Sequence, residues 1–370
     1  MTFSTQDQLH MQRALKLANE ALYLTSPNPR VGCVLVSSDG LVIGEGHTQR
    51  AGQAHAEVAA LDQAIHNGLD TKGSTAYVTL EPCSHTGRTP PCTEALVNAG
   101  VSRVVASLTD PNPLVSGKGF ERLRLAGIKV DLGLGEQEAY AINAGFIKRM
   151  TQGVPLVRLK IASSLDGTTA LANGKSKWIT GEISRTHAHQ WRARSCAILS
   201  GIGTVLSDDP SLNVRLVRTE RQPKLILIDA GLQIPTNATL LKEKREVIIY
   251  CASSNTEKER ELNHRGVTVI NLADKRNPNH VDLQAMLIDL GKKEINELHI
   301  EAGAGLNASF IGQGLVDEYL IYFAPMILGQ AKGWANLPVI EELSRGVALS
   351  FLESLPLGQD IFIRARSVIV

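Results

Sequence analysis

Excess positive charge is absent from this chain, in which 38 lysines and arginines face 37 aspartates and glutamates for a formal net charge of +1. Aromatic residues are sparse too, at 4%. A protein that grips nucleic acid shows a basic surface with aromatic platforms for stacking bases, so composition argues against that class. The five cysteines are an odd number at scattered positions, a poor disulfide framework that suits a reducing compartment. No apolar run is long enough to span a membrane. The polar start, Met1 to His10, has no basic region leading into an apolar core, so no signal peptide is expected. The expectation is a soluble cytoplasmic protein with no membrane partner.

What the chain does have is length. At 370 residues with 43% hydrophobic residues, it can furnish two cores, and two domains are the natural prior. The breaker segment Thr151-Gln152-Gly153-Val154-Pro155 marks the boundary, which gives domains at 1–150 and 151–370.

One stretch organises the first domain: His55-Ala56-Glu57 at the start of an apolar helical pattern, then Pro82-Cys83, then Pro91-Cys92. His55, Cys83 and Cys92 supply three zinc ligands of the right kinds, and a catalytic zinc usually keeps its fourth position for water. Glu57 is the spare carboxylate, suited to taking the water proton and passing it to a departing amine. Residues two apart lie roughly 200° around a helix, so His55 and Glu57 belong in a first turn, where a long glutamate can fold back. Pro91 suits the first position of a second helix, which places Cys92 where the dipole stabilises a thiolate. His-x-Glu followed by Pro-Cys and a further Cys is the signature of zinc-dependent base deaminases. Two alternatives stay open here. The three residues could be a core histidine and two core thiols, or a closed structural zinc site with His85 as fourth ligand.

Around this stretch, apolar spacing predicts an opening helix over Asp7 to Tyr23 and a β-hairpin of Val31 to Val36 with Leu41 to Ile43. Strand Ala76 to Leu80 delivers Pro82-Cys83 at its carboxyl end. Helix, strand, helix and strand follow to Leu132, with a closing helix near Ala139 to Met150, which implies a layered α/β domain. The second half also reads as α/β. Its first strand, Leu156 to Ser163, carries Lys160 in its middle, a costly residue to bury unless it is paired, functional or on an edge. A helix spans Glu182 to Arg194, and strands are expected at Ala197 to Gly201, Leu225 to Ile228, Val247 to Tyr250, Val267 to Ile270 and Leu298 to Ile300. Arg215, Arg218 and Arg221 lie on a loop, solvated or suited to bidentate phosphate contact. Glu301-Ala302-Gly303-Ala304-Gly305 is a glycine-rich strand-to-helix turn that can bring N–H groups to a phosphate, or simply turn the chain.

The stretches Asn28-Pro29-Arg30-Val31-Gly32-Cys33, His55-Ala56-Glu57 and Glu81-Pro82-Cys83-Ser84-His85-Thr86-Gly87-Arg88-Thr89-Pro90-Pro91-Cys92 resemble the bacterial bifunctional riboflavin-biosynthesis deaminase/reductase family, and the resemblance runs nearly end to end. It implies a cytidine-deaminase-like three-layer domain followed by a dihydrofolate-reductase-like domain, with Zn2+ and NADPH as cofactors. The substrate implied is a small pyrimidine ribosyl phosphate, deaminated first and then reduced from ribosyl to ribityl. By the same resemblance Asn28 holds the pyrimidine, His47, Asp110 and Asn112 line the rest of that pocket, and His85, Thr86 and Arg88 border it. Ala162, Trp178, Thr204, Asp208 and Gly303, Ala304, Gly305, Leu306, Asn307, Ala308 and Ser309 fall where the family contacts its cofactor. Lys160, Ser176, Arg192, Leu212, Arg215 and Glu301 fall where it contacts substrate, with Arg192 and Arg215 on the sugar phosphate.

Bland readings accompany these. Asn28 and Asp110-Pro111-Asn112-Pro113 are also turn chemistry, Trp178 could be a core aromatic, and Glu301 a charge at a helix terminus. Lys160, Asp208 and Glu301 are candidate proton donors for the reduction. A homo-oligomer is expected. The competing functional reading is a zinc deaminase of a nucleic-acid base with a non-catalytic C-terminal recognition or NADPH-binding domain.

Overall fold

The computed structural model describes residues 3–86, 90–113 and 115–368; Gly87, Arg88 and Thr89 of the motif lie outside them. The chain divides into two compact units, Met1–Gly153 and Val154–Val370.

The first unit opens with α1 (Thr5–Glu20), β1 (Gly32–Val36), β2 (Val42–His47), α2 (Ala56–His66) and β3 (Thr75–Val78). It continues with α3 (Cys92–Asn98), β4 (Arg103–Ala106), α4 (Lys118–Leu125), β5 (Lys129–Leu132) and α5 (Glu136–Gln152). Helix α1 starts at a capping box, in which Ser4 and Asp7 satisfy each other's main-chain N–H groups. Among the described residues the strands form one sheet in the order β2-β1-β3-β4-β5, antiparallel about β1 and parallel from β3 to β5.

Side-chain alternation along those strands builds two cores. Cys33, Leu35 and Val78 face α2, α3 and α4 through Ala56, Ala60, Leu96 and Leu123. Val34, Val36 and Tyr77 face α1 and α5 through Met11, Ala14 and Ile142. The result is the layered α/β arrangement that the alternation implies, in the three layers that the resemblance implies. A fully buried Leu or Val contributes about 1.5–3 kcal/mol, so two such faces anchor the sheet whose edge carries the site.

Helix α2 lies directly on β2 because β2 is bare where they touch. A Cβ on Gly44 would sit 2.1 Å from the carbonyl oxygen of Ala60, and one on Gly46 would sit 2.5 Å from that of Ala56. The start of α2, and with it His55, is seated by this contact.

The second unit begins β6 (Leu156–Ser164), β7 (Thr168–Ala170), α6 (Glu182–Arg194), β8 (Ala197–Gly201), α7 (Ile202–Asp208) and β9 (Lys224–Ile228). Next come β10 (Val247–Cys251), α8 (Thr256–His264), β11 (Val267–Asn271), α9 (Leu283–Lys292) and β12 (Glu297–Ile300). The chain ends with α10 (Ala304–Gly312), β13 (Glu318–Ala324), β14 (Lys332–Gly333), β15 (Leu349–Leu357) and β16 (Asp360–Ser367). The main sheet runs β11-β10-β9-β8-β12-β6-β13-β16-β15. It is parallel from β11 to β13 and antiparallel at the β13-β16-β15 end.

One alternative closes here: strand β6 is central, between β12 and β13, so Lys160 does not reach water from an edge. Gly203 and Thr204 lie in the helix α7. At the antiparallel end of the sheet β15 is largely exposed on both faces. Beneath β6, Arg158 is fully buried and paired with Glu297 at 2.9 Å and Glu318 at 2.6 Å, a network that compensates the cost of burying its charge.

Two candidate active sites

The register of the first sheet brings the motif residues to one edge. Gly32, the first residue of β1, pairs with His47, the last of β2. The N–H of Thr79, just past β3, donates to the Gly32 carbonyl at 3.1 Å. The entrance to β1 and the exits of β2 and β3 therefore coincide. Asn28 precedes that edge, His47 ends on it, and the chain leaving β3 reaches Cys83. The N–H of Glu81 donates to the carbonyl of Leu108 at 2.8 Å, which brings the segment leading to Asp110 and Asn112 alongside.

At this edge His55 is the N-cap of α2 with Glu57 in its first turn. Cys92 is the first residue of α3, and Pro91 is the N-cap rather than the first helical position, because it holds an extended ψ of 131°. His55 Nδ1 lies 3.7 Å from Cys83 Sγ and 3.3 Å from Cys92 Sγ. The three ligand atoms all fall within 4.8 Å of one another. With Zn–S near 2.3 Å and Zn–N near 2.0–2.1 Å, a tetrahedral S···N edge is about 3.6 Å. The observed separations bracket that value, so the donor set fits zinc. His85 is exposed and, among the described residues, is not part of this group. Among the described residues the group therefore offers three ligand atoms, the number that a catalytic zinc takes from protein.

The charges at the cluster agree. Cys83 is held down to about 4, first by the Cys92 thiol hydrogen-bonded to it and further by His55, while the same contact pushes Cys92 up. Two sulfurs this close cannot both ionise without a cation between them. His55 is raised by its bond to Cys83, so metal binding must displace its proton. Glu57, 4% exposed, is pushed up to about 7, first by burial and then by the charge on Cys83. A dication on the ligands lowers it again.

Sequence reasoning passed over Glu81. Buried at the exit of β3, its carboxylate accepts the N–H groups of Asp110 and Gly117 at 3.0 Å, of Gly119 at 2.8 Å and of Phe120 at 3.3 Å. It ties the Asp110 loop to the metal edge. Asp110 is raised to about 6 by burial, with Glu81 adding to it and the Asn112 N–H opposing it.

In the second unit, helix α6 and the exits of β6 and β12 enclose a cavity of about 500 Å3. It gathers Lys160, Ala162, Ser176, Trp178, Arg192, Arg215 and Glu301 from the expected residues. Trp178 is 65% exposed and under the Arg185 guanidinium, so it is not a core aromatic. Glu301 accepts from Arg192 Nη2 at 2.8 Å and pairs with buried His299 at 3.2 Å. Those partners hold its carboxyl well below the usual range despite burial. Lys160 lies 5.8 Å over the Tyr322 ring, and burial lowers its pKa with Arg192 assisting, against the pull of Glu301.

The cavity adds residues the sequence reading missed: Arg185, His189 and Tyr322. Arg185, Ala188, His189 and Arg192 recur at i, i+3, i+4 and i+7, one face of α6, and that period was the available signal. Arg221 instead donates to the carbonyl of Ser195 at 3.1 Å, a structural contact. Leu212 turns its side chain into the core beside Val205 and Leu225, so any contact it makes with a ligand runs through its main chain.

Thr204, Asp208 and Gly303 to Ser309 lie outside the cavity lining. They sit where β8 and β12, neighbours in the sheet, pass into α7 and α10. Gly303 is the N-cap of α10, and neither helix has a side-chain cap. A Cβ on Gly303 would be 3.9 Å from Thr204 Oγ1, while one on Gly305 would meet nothing within 4 Å. Asn307 is buried with Oδ1 unpartnered among the described residues. Uncapped helix starts at the carboxyl edge of parallel strands fit the anionic groups of a dinucleotide.

Residues 4–108 match the cytidine and deoxycytidylate deaminase zinc-binding region, and residues 155–363 match the RibD C-terminal domain. The riboflavin biosynthesis protein RibD of Escherichia coli is 44% identical over 366 residues, covering 96% of this chain and 98% of that one. Acinetobacter baumannii RibD superposes with a TM-score of 0.89 at 44% identity, covering 98% and 99% of the two chains. The Thermotoga maritima diaminohydroxyphosphoribosylaminopyrimidine deaminase/5-amino-6-(5-phosphoribosylamino)uracil reductase does so at 0.88 and 31%, with the same coverage. The cluster, the cavity and these end-to-end likenesses agree: the chain belongs to the RibD family of riboflavin biosynthesis, bifunctional enzymes that join a zinc-binding deaminase domain to an NADPH-dependent reductase domain.

Proposed function

We propose that the substrate is the diaminohydroxyphosphoribosylaminopyrimidine named for the Thermotoga relative, deaminated in the first unit and reduced in the second. The observation that carries the reading is the pairing of two sites: a three-ligand cluster with a buried carboxylate beside it, and a separate cavity with three arginines, Arg185, Arg192 and Arg215, at its wall.

In the first site, zinc on His55, Cys83 and Cys92 supplies the Lewis acidity that makes water nucleophilic near neutral pH. Glu57 takes the water's proton and delivers it to the departing amine, a transfer its position near neutral titration suits. Asn28, His47, Asp110 and Asn112 hold the pyrimidine at the sheet edge, with Glu81 fixing the Asp110 loop.

In the second site NADPH, which would supply the hydride, would be held by Ala162, Trp178, Thr204, Asp208 and Gly303 to Ser309. Ser176 and Leu212 complete the substrate contacts, and Arg192 and Arg215 hold the phosphate. Ring opening places a proton on the sugar oxygen. Glu301 is a poor donor because Arg192 and His299 hold it ionised, and Asp208 is outside the cavity. Lys160, its pKa lowered by burial, is the donor.

The order is tested by following ammonia and NADPH absorbance together in one sample of zinc-loaded protein with the diamino substrate. Ammonia released without NADPH, and NADPH consumed only after deaminated product exists, is the expected result. NADPH oxidised with no ammonia would refute it.

The assembly is a homo-oligomer in this reading. Strand β15 is the outer edge of the long sheet and exposes Phe351, Leu352 and Leu355, an apolar edge that a second copy would cover; light scattering reports the mass. Among the described residues no helix is long and apolar enough to cross a membrane, and all five cysteines are free thiols, which suits the cytoplasm.

A further inference from the structure

Two hydrogen-bond donors in the second cavity face each other with no acceptor between them. His189 Nδ1 accepts the main-chain N–H of Arg215 at 3.1 Å. A main-chain N–H only donates, so that ring nitrogen carries no proton and the neutral imidazole has its hydrogen on Nε2. Nε2 lies 3.4 Å from Arg192 Nη1. A guanidinium nitrogen also only donates, so these two groups cannot satisfy each other.

Three of the five N–H groups of Arg192 have acceptors within the protein. Its Nε and Nη2 go to Glu301, and Nη1 gives one hydrogen to the carbonyl of Asn213 at 2.9 Å. The second Nη1 hydrogen and the His189 Nε2–H are thus left facing each other without an acceptor, beside the cavity that both residues line. Arg215 lines it as well, with its Nη1 donating to Asn213 Oδ1 at 3.1 Å and Ser211 Oγ at 3.4 Å. An acceptor that takes several donors at once beside two cations is an oxyanion such as a phosphate.

We infer that His189, through Nε2–H, is an uncharged donor to the substrate's phosphate beside Arg192 and Arg215. The inference rests on the reading of this cavity as the sugar-phosphate site. Burial at 4% exposure and the flanking guanidiniums keep the imidazole neutral over the whole physiological range. A further cation beside Arg192, Arg215 and Lys160 is thereby avoided while another direction of hydrogen bonding is gained, which favours a phosphorylated sugar over its neutral counterpart.

The test uses the full chain, the reductase-step substrate and inorganic phosphate as competitor. His189→Asn keeps a short acceptor for the Arg215 N–H but has no donor at the Nε2 position; His189→Gln carries an amide N–H to about that position. One hydrogen bond to a charged group is worth roughly tenfold or more in affinity. We expect phosphate to compete with substrate in the parent enzyme. His189→Asn should raise both the substrate KM and the phosphate inhibition constant about tenfold with kcat within about twofold, and His189→Gln should recover most of both.

An inhibition constant unmoved in His189→Asn but raised in Arg215→Ala overturns the role of His189 alone. Constants unmoved in both variants overturn the phosphate reading with it. Should His189→Asn fail to fold, the 15N spectrum of labelled histidines in the parent enzyme decides: titrated phosphate must shift the His189 Nε2–H resonance, and an unshifted resonance refutes the inference.

Discussion

Arg192, on helix α6, meets Glu301, at the exit of β12, in a two-pronged pair, with Nη2 2.8 Å from Oε2 and Nε on Oε1. The pair is nearly enclosed, its side chains 12% and 13% exposed, and it joins the wall of the cavity to the sheet edge.

Glu301→Gln should leave the Arg192 charge buried without its partner, which typically costs about 3–5 kcal/mol. We expect a clear drop in Tm and a loss of at least about a hundredfold in reductase kcat/KM, since the arginine is no longer aimed. The folded pKa of Glu301 lies well below its unfolded one. Its stabilisation is therefore present above the usual glutamate range and is lost as pH falls through the folded value. Stability curves of parent and variant should converge in acid; curves that stay parallel down to strong acid would contradict the pairing.

Glu57→Gln keeps the shape of a side chain that touches the Cys92 thiol but cannot carry a proton. Ammonia release should fall by about a thousandfold or more, with zinc per chain unchanged by metal analysis. Turnover near the parent rate would remove Glu57 from proton transfer.

Gly46→Ala places a methyl group 2.5 Å from the Ala56 carbonyl oxygen and 2.6 Å from the Ala60 nitrogen. Main chain cannot yield cheaply there, so α2 should shift at about 1–3 kcal/mol and carry His55 away from the two sulfurs. The expected readout is substoichiometric zinc and a lower Tm. Full zinc occupancy in this variant would show that the close contact does not seat the ligand.

His189 is depressed from 6.5 to about 3, first by burial and then by Arg192 and Arg215. For a base depressed on folding, the unfolded chain takes up protons first. Stability is then full above the unfolded pKa and declines as pH falls from about 6.5 towards 3. His189→Gln should flatten this part of the curve in chemical denaturation at a series of pH values. An unchanged slope would place the acid sensitivity on other histidines.

Much of the first site was legible along the chain because its chemistry is local. His55 and Glu57 occupy one helical turn, and Cys83 and Cys92 flank a single loop, so residue type and spacing already imply ligands and a base. Glu81 was not legible: a glutamate beside Pro82 reads as one more charge until the fold brings the N–H groups of Asp110, Gly117, Gly119 and Phe120 to it. Lys160 shows the same limit, since its strand could be edge or centre until its neighbours are known.

Sequence alone determined the alternation of strands and helices, the spacing of a histidine and two cysteines suited to a metal, and the family, because each is carried by residue identity at short range. Tertiary structure decided which face of α6 looks into a cavity, that Leu212 turns inward, that Glu301 pairs with Arg192, and that His189 meets Arg192 donor to donor. Those outcomes depend on strands β6, β8 and β12, far apart in the chain, lying side by side. No local pattern encodes which distant backbone a buried polar group will find.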